Sequence, residues 1–156
     1  FKANLTDIHA ALGLAQLPNL RKNHARRLEL AEQYTSALQH LPLALQQLSS
    51  SAGSNEHARH LFCISVKHAA GFTREDIMSE LAAHDIGFSV HFIPLYEFSS
   101  VRKKYAFSPA NFPATAAYFQ GALSLPLYPT LTDAQQKEVI SAVRRVAAGN
   151  AAAKAK

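Results

Sequence analysis

A single cysteine, Cys63, in 156 residues excludes a disulfide within the chain and any metal site built on several thiolates. Cys63 stands in an apolar, strand-forming run, so it reads as a small buried hydrophobe rather than a reactive thiol, and the cytosol (a cytoplasmic location) is the simplest compartment. No stretch approaches the ~20 apolar residues of a membrane-crossing helix, and no charged-then-apolar leader opens the chain, so no membrane association is expected. There is no Gly-rich phosphate loop, no nucleophile elbow and no carboxylate pair spaced for acid–base work, so none of these can be named as a catalytic centre. His57 and His60 lack the carboxylate or cysteine partners that would complete a metal site, and read as a loop and a strand edge. No internal repeat is visible, and only the closing Ala-Lys tract is of low complexity.

What is present fits a globular domain: 48% apolar and 17% charged residues, enough to bury roughly two-thirds of the unfolded surface. The formal charge of +5 would attract an anionic partner. Arg21, Lys22, Arg26 and Arg27, however, fall on one long helix and read as its solvated face. Arg102-Lys103-Lys104 lies beside Tyr105 and Phe107, a mixture used by single-strand binders. A free-standing basic α+β module holding nucleic acid or an acidic partner is therefore one reading of the chain. The first residue, Phe1 rather than Met, suggests a fragment, a processed chain or a missing upstream part.

Local patterns predict the elements. Asn4, Thr6 and Asp7 can each cap a helix that begins between residues 4 and 7 and carries small residues (Ala10, Ala11, Gly13, Ala15) beside Ile8, Leu12 and Leu17. After Pro18 and Asn19 a second helix runs to about Leu41, with Leu20, Leu28, Ala31, Thr35 and Leu38 as its inner stripe. Extended chain follows from Leu43 to Leu48, then a flexible loop over residues 49–55. Leu61–Val66 reads as a buried strand, and Thr73 with Asp76 caps a helix whose inner face is Ile77, Met78, Leu81 and Ala82. Phe88–Phe92 reads as a further strand, paired in either an antiparallel sheet or a parallel crossover. Residues 93–112 are surface loop with a short helix over residues 99–105. A helix over residues 113–123, a brief strand at Leu123–Leu125, and a last helix capped by Thr132 and Gln135 complete the chain. That helix turns Val139, Ala142, Val143 and Val146 inward and frays after Gly149.

The opening run Lys2-Ala3-Asn4-Leu5-Thr6-Asp7-Ile8-His9-Ala10-Ala11-Leu12-Gly13-Leu14-Ala15-Gln16-Leu17 resembles a phrase of the DegT/DnrJ/EryC1/StrS sugar aminotransferases. Three later phrases are similar to the same family, in the same order: Arg59-His60-Leu61-Phe62-Cys63-Ile64-Ser65-Val66, Gly87-Phe88-Ser89-Val90-His91-Phe92-Ile93-Pro94-Leu95, and Leu123-Ser124-Leu125-Pro126-Leu127-Tyr128-Pro129. The resemblance covers the chain to about Val146 and lands on the family's last portion. It implies the small C-terminal domain of an aspartate-aminotransferase-like fold (a type I pyridoxal-phosphate transferase), α+β in class. A helical lead over residues 1–41 would serve the dimer and cofactor site, an α/β domain would follow over residues 42–148, and residues 149–156 would form a disordered tail.

The resemblance implies further that the cofactor is pyridoxal 5'-phosphate, held mainly by a large domain not included in this sequence. None of Lys2, Lys22, Lys67, Lys103, Lys104 or Lys137 stands in the family's cofactor-bonding phrase, so no catalytic residue is assigned and the chain alone should be inert. By position Asn4 and Lys2 would reach the cofactor phosphate, while His91 and Phe92 would reach the substrate across a homodimer interface. Asn4 read locally is a helix cap, and His91 read locally is a structural histidine at a strand end. Phe92 replaces a commoner tyrosine, and Tyr96 stands where many relatives carry histidine. The implied reaction moves an amino group from glutamate to a nucleotide-linked keto sugar. The Lys-x-Asn-Leu-Thr-Asp form is similar to enzymes making 4-amino-4-deoxy-arabinose for lipid A, which implies a UDP-4-keto-arabinose type of substrate, lipopolysaccharide biosynthesis and no nucleic-acid partner.

Overall fold

The computed structural model describes residues 4–46 and 57–153, with side chains described to residue 149. Lys2, the loop expected over residues 49–55 and the last three residues lie outside that range. Thr6 caps α1 (Asp7–Gln16), its hydroxyl accepting the His9 N–H at 3.4 Å. A tight turn over Leu17–Asn19, with Pro18 in its first positions, hands the chain to α2 (Leu20–Leu38). Proline is tolerated there because the first N–H groups of a helical turn have no internal partner.

The buried stripe of α2 is Leu30, Ala31, Tyr34 and Leu38. This corrects the expected stripe: Leu20 and Thr35 are exposed, and Thr35 returns its hydroxyl to the Ala31 carbonyl at 2.8 Å. The Tyr34 ring is apolar while its hydroxyl needs a partner. The structure satisfies both requirements. The ring stacks on Phe62 at 4.9 Å and the hydroxyl donates to the Pro126 carbonyl at 3.0 Å.

Strands β1 (Leu43–Leu45), β2 (Phe62–Val66) and β3 (Ala122–Leu125) form one antiparallel sheet in the order β1-β2-β3. Pairing Phe62 with Leu125 and Ile64 with Leu123 puts these apolar side chains on one face. Alternation sends Cys63, Ser65 and Ser124 to the other face. The apolar face belongs to a core shared with α2, α3 (Arg74–Ala83) and α6 (Asp133–Ala153). Capping boxes start α3 and α6 where the sequence places them: Thr73 with Asp76, and Thr132 with Gln135. In α6, Gln136 is buried beside Val139, Ile140, Ala142 and Val143, and its amide donates to the Leu30 carbonyl at 2.7 Å.

Two further expectations are corrected. Residues 88–92 do not form a strand; they make a single bridge, Ser89 to Ser124. The chain then leaves the sheet toward Pro94, which has no N–H to offer another rung. Arg26 and Arg27 are not a solvated face. Arg26 binds Glu29, Asp133 and the Leu131 carbonyl, and Arg27 donates to the carbonyls of Arg59, His60 and Leu127. Helix α6 runs through Gly149 to Ala153; alanines extend a helix already anchored by its packed first half.

Between α3 and β3 lie α4 (Ser99–Tyr105) and α5 (Pro113–Gly121). Gly121 ends α5 hard against β2: a Cβ there would sit 2.4 Å from the Val66 carbonyl oxygen. By contrast α1 buries nothing among the described residues, and Leu5, Ile8, Leu12, Leu14 and Leu17 are 59% to 75% exposed.

Candidate functional site

The polar face of the sheet carries the only sequence-expected site residue with a defined set of partners among the described residues. Bridging Ser89 to Ser124 brings His91 back over β3, where its Nδ1 lies 2.9 Å from the Ser124 hydroxyl. Ser124 is buried, and its hydroxyl also lies 3.3 Å from the Cys63 sulfur, its direct partner across the β2–β3 ladder. On the far side of Cys63 stands Tyr118 of α5. Burial first, then its electrostatic interaction with Cys63, push its phenol above the ordinary value. Cys63, Ser124 and His91 thus form one polar line over that face of the sheet. Cys63 is therefore half-buried and engaged in polar contacts, which corrects its reading as a plain hydrophobe.

His91 and Ser124 form part of the wall of a 540 Å³ cavity, together with Ser89, Tyr128, Gln135 and Glu138. Phe92 follows His91 through a cis peptide, with its ring edge-on to the imidazole at 4.7 Å and 78% exposed. Asn4 is exposed in the lead to α1 and is not part of the cavity wall. The structure therefore brings His91 and Phe92 together and leaves Asn4 apart, while Lys2 lies outside the described residues.

Sequence reasoning missed Ser124 as a site residue. The only available signal was strand alternation, which sets Cys63 and Ser124 on the face opposite Phe62 and Leu125. It also missed how α2 fixes the segment that opens β2. The ring Nε2–H of His24 donates to the His57 carbonyl at 2.9 Å, and Arg27 gathers two more carbonyls from residues 59 and 60. His57 is occupied locally, its Nδ1 accepting the Arg59 N–H at 3.1 Å. Among the described residues no group of three or more His, Cys, Asp or Glu side chains is placed to hold a metal ion, and no helix is long and apolar enough to cross a membrane.

Among the described residues no lysine or arginine lines the cavity. Pyridoxal phosphate needs an amine to bond and donors for its phosphate, so the cavity walls do not by themselves fit that cofactor. Among their lining residues are His91, held by a hydroxyl, and His84, Asp85 and Glu138, beside apolar residues.

Comparison with known proteins places this geometry. The chain is 38% identical over 151 residues to the spore coat polysaccharide biosynthesis protein SpsC of Bacillus subtilis (strain 168), covering 96% of the chain and 38% of SpsC. Spr1654 of Streptococcus pneumoniae, assigned as a sugar aminotransferase, superposes in its apo form with a TM-score of 0.84 at 29% identity. The match covers all of this chain and 38% of that one, and PLP and PMP forms of Spr1654 also match. DesV of S. venezuelae aligns at a TM-score of 0.80 and 27% identity, over 92% of this chain and 37% of DesV. The chain thus spans well under half the length of the relatives it matches. A family model matches residues 1–144, and the chain belongs to the DegT/DnrJ/EryC1/StrS aminotransferase family.

Proposed function

We propose that this chain is the C-terminal portion of a pyridoxal-phosphate-dependent aminotransferase that moves an amino group from glutamate to a nucleotide-linked keto sugar. The observation that carries the reading is the family match over residues 1–144, together with His91 held at a cavity whose walls contain no amine. His91 hydrogen-bonds the substrate, and Phe92 offers it an apolar surface. Asn4 and Lys2 lie at the cofactor phosphate, where the Asn4 amide donates without placing a full charge there.

The reactive amine and most of the cofactor pocket come from the remainder of the protein, so the chain alone is inactive. The exposed apolar side of α1 supports cover by other protein surface, since contiguous apolar patches of this kind mark interaction sites. The reading takes the complete protein as a homodimer whose sites are shared between subunits.

The test is amino transfer by the complete protein, supplied with pyridoxal phosphate and glutamate, to a panel of UDP-linked keto sugars with UDP-4-keto-arabinose among them. Transfer to at least one sugar is expected, and none from this chain alone. Absence of transfer to every sugar rejects the function. His91→Gln should raise KM for the sugar nucleotide about 3- to 10-fold, the scale of one lost hydrogen bond.

A further inference from the structure

We propose that Ser124 is a positioning residue: its hydroxyl donates to Nδ1 of His91, fixes the ring as the neutral Nε2–H tautomer, and so makes His91 a hydrogen-bond donor to a substrate oxygen. The inference rests on the reading of His91 as a substrate-binding residue.

The argument starts from the supply of protons. The backbone of Ser124 is committed: its N–H donates to the Ser89 carbonyl at 2.8 Å and its carbonyl accepts the Ser89 N–H at 3.2 Å. Its buried side chain has two neighbours, Nδ1 of His91 at 2.9 Å and the Cys63 sulfur at 3.3 Å. A hydroxyl has one proton to give, and a neutral imidazole nitrogen is a far stronger acceptor than a thiol sulfur. The Ser124 proton therefore goes to His91. The Cys63 S–H, a weak donor, then turns to the Ser124 oxygen.

Both donors then point the same way, from β2 through β3 to His91. The reverse polarity would set the better donor on the poorest acceptor. With Nδ1 filled, the neutral ring carries its proton on Nε2. A ring in that state recognises a hydroxyl, carbonyl or phosphate oxygen rather than removing a proton from the substrate.

The experiment uses the complete holoenzyme with ¹⁵N-labelled histidine, the His91 resonances being assigned by their loss in His91→Gln. At neutral pH wild-type His91 is expected as the Nε2–H tautomer. Ser124→Ala, which removes one oxygen atom, should give a tautomer mixture and raise KM for the sugar nucleotide about 3- to 10-fold while kcat changes less than about 2-fold. Cys63→Ala should keep the Nε2–H signature.

An Nδ1–H or doubly protonated ring in the wild type, or an unchanged tautomer in Ser124→Ala, overturns the proposal. Competition by UDP locates the oxygen: weaker UDP binding in Ser124→Ala puts it on the phosphates, and unchanged UDP binding with a raised KM puts it on the sugar, both in agreement with a donor ring. If His91→Gln leaves KM and kcat unchanged, the substrate role of His91 fails, while the tautomer still decides what Ser124 does.

Discussion

Single atoms decide several features of this chain. Gly121 is the clearest, because a methyl group there would collide with the Val66 backbone at 2.4 Å and 2.8 Å. Backbone cannot move aside as a flexible side chain can. Gly121→Ala should lower unfolding stability by about 1–3 kcal/mol, read from the denaturant midpoint at constant slope. Tyr34→Phe keeps the stack on Phe62 and strands the Pro126 carbonyl, so a loss of about 0.5–1.5 kcal/mol is expected in the same measurement. Residue roles were unevenly legible in the sequence. Thr73 with Asp76 and Thr132 with Gln135 could be read directly, because a cap is a local event between residues three apart. Ser124 could not, because its partners Cys63 and His91 come from distant sequence and meet it only once the sheet has formed.

At the scale of elements, the helices depend on charges whose state is set by folding. Hydrogen bonds from the Thr73 backbone and hydroxyl hold the Asp76 carboxyl below its ordinary value at the start of α3. The Arg26 guanidinium does the same for Asp133, tying α2 to the start of α6. A carboxyl with a lowered folded-state value binds protons more readily in the unfolded chain, so its contribution is complete above the unfolded value of about 4 and disappears as the pH falls through the folded value. The melting temperature should therefore hold from neutral pH to about pH 5 and drop below about pH 4, with a smaller acid-induced drop in Asp76→Asn. Helix existence was legible from periodicity, and for α2 the expected stripe was right at Ala31 and Leu38 but missed Leu30 and Tyr34. Its true stripe of Leu30, Ala31, Tyr34 and Leu38 includes an amphipathic tyrosine that composition does not mark as buried. The expected strand at residues 88–92 failed for a related reason: β-favouring residues were present, yet whether they pair depends on the free edge of β3.

For the whole molecule, the uncovered side of α1 is the strongest departure from a self-sufficient domain. In the complete protein a double change, Ile8→Asp with Leu12→Asp, should weaken the proposed assembly, seen in sedimentation as a lower mass, while the core around α2 and α6 stays intact by near-UV circular dichroism. The sequence phrases already implied a portion of a longer protein, but the extent of the bare surface became visible only when α1 was found to bury none of its residues. The Gln136–Leu30 bond has a consequence in time. Its two ends lie 106 residues apart, so on a ribosome adding about 5–20 residues per second the inner stripe of α2 waits roughly 5 to 20 s for α6 to emerge. During that interval the nascent chain presents Leu30, Tyr34 and Leu38 to whatever chaperone stands at the tunnel exit, and a message cut short before α6 would yield a product that never closes and passes to proteolysis.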